Sequence, residues 1–433
     1  TVPQWKIADT DENAKFEMNI FPSGPVMGAT FNPRLAYEQG RLMGNDALFV
    51  GLPILWGPSM NTHRTGYNGR NIEYYSEDPV VTGKMAAGYI KGVQSQGVGT
   101  CLKHFAVNNQ ETNRNNNDSR VAQRPLRELY LKGFEIAVKE SQPWSIMTSY
   151  NKVNGKYTCE DIDLTENILR DEWGYKEIVV SDCWAISDFY NKGAHETDPD
   201  KQHASAKAVL SGTDVECGDS YASLPEAVKE GLIDEKQIDI SLKRLMKARF
   251  ELGEMDEPSQ VSWAQIPYSV VDSKEHRELA LRMARESLVL LQNNQSLLPL
   301  NKNLKVAVVG PNANDSVMQW GNYNGFPSHT ITLLEGIREY LPESQIIYEP
   351  GCDLTSDVTL QSVFQQCSMD GKQGFSAKYW NNTKQEGTPD VTNHISTPFH
   401  FITTGATTFA AGINLQDFSA SYESVFRPAK SED

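Results

Sequence analysis

From about residue 25 to residue 217, short apolar runs rich in β-branched and aromatic residues alternate with stretches whose apolar positions recur at helical spacing. The strand candidates are Leu48–Trp56, Val98–Phe105, Ser145–Tyr150, Glu177–Ser181 and Thr213–Cys217. Between them Pro79–Gln94, Pro125–Glu140 and Leu164–Trp173 mix apolar and charged residues in the manner of amphipathic helices. Strand and helix taking turns is the pattern of βα units around a parallel sheet, so a (β/α) barrel is the expected fold. The first clear strand comes late, behind the polar stretch Ala8–Lys15, and the barrel is therefore expected to lack its first unit.

Residues 224–253 read as helical, and Asp256–Ser273, with two prolines and few apolar positions in register, reads as a linker. A helix over 274–292 then leads into an apolar strand at Leu304–Gly310, a turn at Pro311–Asp315 and a helix beyond Thr332, the opening of a second α/β domain. From Gly371 the character changes to aromatic and threonine-rich alternation, as in Phe375–Trp380 and Phe399–Phe409, which predicts a β-rich module that stops unfinished at Asp433. The expected division is 1–255 for the barrel, 256–300 for linker and helix, 301–370 for the second α/β domain and 371–433 for the β module.

A length of 433 residues fits two or three domains. The formal charge of −16 argues against a nucleic-acid partner, because phosphate binding needs concentrated basic patches. No stretch approaches the roughly 20 apolar residues that span a bilayer, so no membrane partner is expected. The N-terminus has no charged-then-apolar leader pattern. The six cysteines, Cys101, Cys159, Cys183, Cys217, Cys352 and Cys367, show no CxxC spacing and are read as buried thiols rather than a zinc site. Sequons at Asn117, Asn314 and Asn381 decide nothing about compartment.

In a (β/α) barrel the reactive groups sit where strands end, since the βα loops converge on one rim. Here every strand end is polar: Met60-Asn61-Thr62-His63-Arg64 after the first, Lys103-His104 on the second, Tyr150-Asn151 on the third and Ser181-Asp182-Cys183-Trp184 on the fourth. Arg64, Lys103 and His104 are donors suited to sugar hydroxyls, and Asp182 is placed to attack an anomeric carbon while a second carboxyl protonates the leaving group. Nothing resembles a phosphate cradle or a metal-ligand spacing, so a hydrolase without metal or cofactor is expected.

These residues also resemble a known family, glycoside hydrolase family 3, which contains β-glucosidases and β-xylosidases. GPSMNTHRTGYNGRNIEYYSEDP (57–79) resembles its sugar-binding signature, KHFAVNNQETNR (103–114) its lysine-histidine loop, MTSYNKVNG (147–155) its tyrosine segment and IVVSDCWA (178–185) the strand carrying its nucleophile. The resemblance implies a TIM-like barrel followed by part of an α/β sandwich, with Asp182 as nucleophile. It also implies that Arg64, Lys103 and His104 bind the sugar at the non-reducing end, Tyr150 lies near the nucleophile and Trp184 stacks on the ring. Family members often place that tryptophan directly after the aspartate; here Cys183 intervenes. GFSAKYWNNTKQEGTP (374–389) resembles the start of a PA14 module, and in such enzymes the acid/base glutamate follows the insertion, which places it beyond Asp433. Asp9 and Asp11 stand roughly where the family supplies another aspartate, without its motif, and take no role.

Other charged residues are read as scaffolding: Arg70 with Glu77 and Arg127 with Glu128 as ion pairs, Glu111 and Arg114 in a loop, Asp214 and Glu216 outside the site. Lys103 and His104 are expected to lower the pKa of Asp182. The expected activity is a retaining exo-acting β-glucosidase on β-linked oligosaccharides or aryl and alkyl glycosides. SDCWAISDFY and GTDVECG lean instead towards β-xylosidase. Readings from other classes are a nucleotide-binding protein, prompted by KVAVVGPNAND (305–315), and a non-catalytic carbohydrate-binding fragment.

Overall fold

The computed structural model describes residues 18–320, 323, 327–352, 363–397, 399 and 408–428. Ala8–Lys15, with Asp9 and Asp11, and most of Phe399–Phe409 lie outside the described residues. Contacts divide the chain into two compact units, Phe21–Leu291 and a second one made of Gln292–Asp433 together with Thr1–Ile20.

The first unit is built on a parallel four-stranded sheet: β1 (Ile54–Leu55), β2 (Gly99–Phe105), β3 (Ser145–Thr148) and β4 (Ile178–Val180), paired in chain order. Helices α1 (Pro33–Phe49), α2 (Pro79–Gln94) and α3 (Lys132–Ser141) cover it. Their starts are set by local chemistry. Asn32 and Asp78 cap α1 and α2 by accepting backbone N–H bonds, and a proline follows each cap, where its missing N–H costs nothing. The helices α1 and α2 meet closely through Gly40 and Gly92; a methyl group on either would strike the carbonyl oxygen of Tyr89 or Tyr37. Beneath them lies the main core, with Leu35, Met85, Ile90, Leu102, Phe105, Phe134 and Ile146 at or below 1 % exposure.

Several expected boundaries move. The strand expected at Leu48–Trp56 shrinks to Ile54–Leu55, because the capped helix α1 runs on through Leu48 and Phe49 until Gly51 turns the chain at φ 71°. Thr213–Cys217 contributes one bridge, Val215 to Val180, rather than a strand. Leu126–Tyr130 and Asp163–Glu172 wind as π-helix, so the helix expected over Pro125–Glu140 is interrupted. Residues 224–253 form two helices, Leu224–Lys229 and Glu235–Glu251, parted at Gly231 (φ 73°). The segment Asp256–Ser273 is a series of short 3-10 turns that packs rather than dangles: Trp263 lies against the main core and donates to the Leu252 carbonyl at 3.1 Å. The helix that follows, Lys274–Glu286, also belongs to this unit, with His276 buried against Asp46 at 3.0 Å.

In the second unit β5 (Val306–Val309) and β6 (Ile346–Glu349) pair in parallel, joined through the helix Leu333–Arg338, whose capping box is Thr332 and Glu335. Farther on, β7 (Phe375–Trp380) runs antiparallel between β8 (Val391–Ile395) and β9 (Ser419–Glu423), with Ala377, Tyr379 and Ile413 buried among aromatic rings. The whole is an α/β chain with mixed sheets. Among the described residues no closed barrel is formed, and no helix is long and apolar enough to cross a membrane.

Candidate active site

The C-terminal ends of β2, β3 and β4 lie side by side, and this brings together four of the six residues singled out from sequence. β2 carries Lys103 and His104, the loop after β3 carries Tyr150 and the turn after β4 carries Asp182. The loop after β1 is laid along β2: Asn61 accepts from the His104 N–H and donates to the His104 carbonyl, both at 3.0 Å, and Met60 N–H donates to Lys103 O at 2.8 Å. Pinned on both sides, His104 turns its ring towards Asp182, with Nε2 3.5 Å from Oδ2. Asp182 is 7 % exposed; its Oδ1 accepts from Cys183 N–H at 2.8 Å. Its Oδ2 and His104 Nδ1 are buried and have no hydrogen-bond partner among the described residues, an arrangement suited to a polar ligand.

The electrostatics correct one expectation. Burial pushes the Asp182 carboxyl above its ordinary value, and the charges of Arg70, Lys103 and Arg114 oppose that shift without cancelling it. His104 contributes nothing to lowering it, because burial holds the imidazole well below its usual pKa and leaves it neutral near pH 7. Lys103 is also lowered by burial. Tyr150 is raised, chiefly by burial and next by the Asp182 charge, so its hydroxyl stays protonated and donates to the Cys183 carbonyl at 2.7 Å.

Arg64 is not brought to this cluster: it is exposed and turned to Tyr130, with Nε 3.4 Å from the hydroxyl and the guanidinium 5.7 Å from the ring centroid. Two arginines that the sequence reading left as scaffolding stand closer to the chemistry. Arg70 is 7 % exposed, and its charge acts on Lys103, His104 and Asp182. It pairs with Glu73 at 2.9 Å, not with Glu77 as expected, because Glu73 stands three residues on across the short 3-10 turn Asn71–Glu73. Arg114 pairs with Glu111 at 2.8 Å as expected, and also lies 4.2 Å above the Tyr150 ring. The cue for Arg70 was in its block all along, a cation followed at i+3 by a carboxylate that draws it inward.

Trp184 adopts a left-handed backbone, φ 64°, held by its N–H to Cys217 O at 2.6 Å, and its side chain is 57 % exposed. Cys183 and Cys217 are joined in a disulfide, which corrects the reading of six buried thiols: the Val180–Val215 bridge brings their Cα atoms to 4.5 Å. Cys352 is exposed, and Cys101, Cys159 and Cys367 are buried thiols. The Asp214 side chain, left outside the site by the sequence, is fully buried and bonded to Arg170 and Arg244. The pair expected between Arg127 and Glu128 is replaced by Arg127–Glu172 at 2.6 Å and Arg124–Glu128 at 3.0 Å, since the π turn rotates the two side chains onto different neighbours. Among the described residues no three His, Cys, Asp or Glu side chains gather as metal ligands. The glycine turn of KVAVVGPNAND leads into short 3-10 turns, Pro311–Asn314 and Met318–Trp320, so no helix N-terminus follows it to hold a phosphate.

Asp188, six residues past Asp182, is a second buried carboxyl. Burial pushes it up to about 6, against the Tyr157 hydroxyl at 3.4 Å and the Arg114 charge, which pull the other way. Its folded pKa therefore lies above that of the unfolded chain, near 3.9. The folded state binds more proton between those values, and stability contributed by the protonated form is lost as pH rises from about 4 to about 6. Asp188→Asn cannot ionise, so its melting temperature relative to wild type is expected to rise between pH 4 and pH 7; a difference that stays flat or falls over that range contradicts this electrostatic account.

Comparison with known proteins agrees with this picture. The Glycosyl hydrolase family 3 N terminal domain matches residues 12–248, and the Glycosyl hydrolase family 3 C-terminal domain matches residues 288–423. A xylan 1,4-beta-xylosidase from Xylanibacter ruminicola is 40 % identical over 435 aligned residues, covering 94 % of this chain and 50 % of the relative. A beta-glucosidase from Rhizobium radiobacter is 34 % identical, covering 81 % and 42 %. Beta-glucosidase 3B from Thermotoga neapolitana, solved with alpha-D-glucose, superposes with TM-score 0.65 at 35 % identity, over 79 % of this chain and 45 % of that one. A GH3 exo-beta-xylosidase, XlnD, solved with a xylobiose aziridine probe, superposes with TM-score 0.74 at 30 % identity, over 80 % and 47 %. The chain spans about half the length of the curated relatives it matches.

Proposed function

The chain belongs to glycosyl hydrolase family 3, and from that premise we propose that it carries the nucleophile and sugar-binding side of a retaining exo-acting β-glycosidase that removes terminal non-reducing β-D-glucosyl residues. The observation that carries this reading is the buried Asp182 at the end of β4, with Oδ2 unpartnered beside a neutral His104. In the proposed double displacement the ionised Asp182 Oδ2 attacks the anomeric carbon as the glycosidic oxygen leaves with a proton. Water then attacks the glycosyl ester and releases the sugar with net retention. Lys103 and His104 hold hydroxyls of the sugar, Tyr150 supports the nucleophile's turn and the exposed Trp184 offers a stacking face. The proton comes from a carboxyl of the second domain to which no residue is assigned.

The remaining structural expectations belong with this reading. The parallel sheet β1–β4 is proposed to be part of a TIM-like barrel, the β5–β6 pair part of an α/β sandwich, and the antiparallel β8–β7–β9 sheet the start of a PA14-like module. The proposed division keeps a barrel at 1–255, linker and helix at 256–300, sandwich at 301–370 and β module at 371–433.

A β-xylosidase is the second reading, favoured by the 40 % identity to the xylan 1,4-beta-xylosidase. Turnover of nitrophenyl β-glucoside and β-xyloside by the enzyme, with proton NMR of the first-formed anomer, tests both. Glucoside preference with the β-anomer formed first is the expected result, xyloside preference selects the alternative, and an α-anomer formed first removes the double displacement.

The two arginines of the 57–79 block provide a sharper check. On this reading Arg70, whose charge reaches Lys103, His104 and Asp182, also donates to a sugar hydroxyl, and since a hydrogen bond from a charged donor contributes about 1.5–3 kcal/mol, Arg70→Ala is expected to lower kcat/KM by roughly 10- to 100-fold. Arg64→Ala is expected to stay within about threefold of wild type, as for an exposed side chain away from the chemistry. The opposite ranking would return Arg64 to the site.

A further inference from the structure

The proposed nucleophile stands on a turn that little regular structure supports. β4 ends at Val180, and the segment beside it pairs with it through the bridge from Val215 to Val180 rather than through a strand. Beyond that bridge the two segments are joined by Ser181 N–H to Val215 O at 3.0 Å, Cys217 N–H to Ser181 Oγ at 3.1 Å and Trp184 N–H to Cys217 O at 2.6 Å. The Cys183–Cys217 disulfide crosses between them at the same level, with Cα atoms 4.5 Å apart. Gly218 and Asp219, which follow Cys217, are exposed. The covalent bond therefore holds together two segments that no strand ladder continues to hold.

Cys183 is also the residue that orients the nucleophile. Its N–H donates to Asp182 Oδ1 at 2.8 Å, which fixes the carboxyl and leaves the buried Oδ2 without a hydrogen-bond partner among the described residues. Its carbonyl accepts from the Tyr150 hydroxyl at 2.7 Å. Trp184, next along, is held at φ 64°, a left-handed conformation that a residue with a side chain keeps only where its surroundings impose it. Two of the contacts that impose it are at Cys217: the hydrogen bond to its carbonyl and, one residue back, the disulfide to its sulfur. Loss of the cross-link thus loosens the turn whose backbone N–H aims Asp182. Both cysteines are half-buried, within reach of a small reductant, whereas Asp182 is 7 % exposed.

We infer that the Cys183–Cys217 disulfide is a positioning clamp for Asp182, so that its reduction by a dithiol slows attack on the anomeric carbon and its re-formation by exchange with a small disulfide restores the rate. The inference rests on the glycosidase reading above and adds to it a covalent bond on which the rate of that reading's first step depends. Asp182 does the chemistry, and the two cysteines hold it in place. In the reduction the S–S bond breaks, each cysteine sulfur ends as a thiol, and the two electrons and two protons come from the dithiol, which closes into its own cyclic disulfide. In the reverse step the two thiols become a disulfide again and the small disulfide leaves as two thiols.

The test is the rate at which an activated fluoroglycoside labels the enzyme before and after treatment with dithiothreitol, read by intact-protein mass spectrometry. Under denaturing conditions the untreated enzyme is expected to offer four thiols to an alkylating agent and the reduced enzyme six. Reduction is expected to slow labelling by on the order of tenfold or more, as a small misplacement of a reacting group does, while the final extent stays at one sugar per chain. Exchange with oxidised glutathione is expected to restore the rate. Cys217→Ala, which lacks the cross-link from the start, is expected to label at the slow rate with or without dithiothreitol, and it decides the question where the bond resists the reagent. An extent that falls while the rate holds means that the bond supports the fold alone, and overturns the clamp. Six thiols in the untreated enzyme, or equal labelling rates for wild type and Cys217→Ala, overturn it as well. Untreated enzyme that forms no glycosyl adduct overturns the glycosidase reading, and the clamp with it.

Discussion

Asp182→Asn is expected to lower turnover of a nitrophenyl β-glycoside by on the order of 10⁴-fold or more, with circular dichroism and melting temperature close to wild type. The size follows from what the carboxylate does. In a double displacement it forms the covalent bond that divides one difficult substitution into two easier ones, and an amide of the same shape is a far poorer nucleophile. The fold is expected to tolerate the change because Asp182 Oδ1 accepts from Cys183 N–H at 2.8 Å, while the buried Oδ2 has no hydrogen-bond partner among the described residues. An amide oxygen can keep that bond. Burial already disfavours the charge of Asp182, so the neutral amide removes a penalty rather than adding one. Activity within tenfold of wild type would remove Asp182 from the mechanism.

The other large effect is on stability. Asp214→Ala is expected to cost about 3–5 kcal/mol, as breaking a buried ion pair does when it strands the partner charge. Asp214 has no exposed side-chain surface and is bonded to Arg170 at 2.8 Å, Arg244 at 2.6 Å and Ser241 at 2.9 Å. It also accepts from the Val179 N–H at 2.9 Å, on the strand that leads to Asp182. Arg170 is itself buried and also meets Glu166 and the carbonyls of Glu177 and Gly212. Loss of Asp214 leaves a cation in the interior and frees a backbone donor on β4. Chemical denaturation of the variant should show the loss directly, and an unchanged midpoint would mean that Arg170 and its surroundings relax at little cost. The two predictions separate cleanly, since Asp182 is expected to matter for rate and Asp214 for the fold beneath it.

Strand and helix order was legible where local signals agreed. Pro79–Gln94 is found at its expected bounds because the Asp78 cap, Pro79 and an apolar face all point to the same helix. The strands that carry Lys103 and lead to Tyr150 and Asp182 were legible for a similar reason, as short apolar runs ending abruptly in polar residues. Leu48–Trp56 misled because an apolar run of that length fits either a buried helix end or a strand, and the cap at Asn32 that decides between them lies far upstream. The exchange of Arg64 for Arg70 turns on a single turn of chain, Asn71–Glu73, whose ion pair buries one arginine and leaves the other facing Tyr130. The Cys183–Cys217 disulfide depends on a bridge between neighbouring chain segments, Val180 to Val215, that no local pattern announces. Charge states were the least legible, because burial dominates Asp182, His104 and Lys103 alike and is a property of the packed chain.

The central claim is that Asp182 forms a covalent bond to the sugar. Incubation of the enzyme with an activated fluoroglycoside, whose leaving group departs without an acid, followed by proteolysis and mass spectrometry, tests it most directly. The account predicts one glycosyl adduct, located on Asp182 and absent in Asp182→Asn. An adduct on another carboxylate, or turnover of the reagent with no covalent species formed, would contradict it.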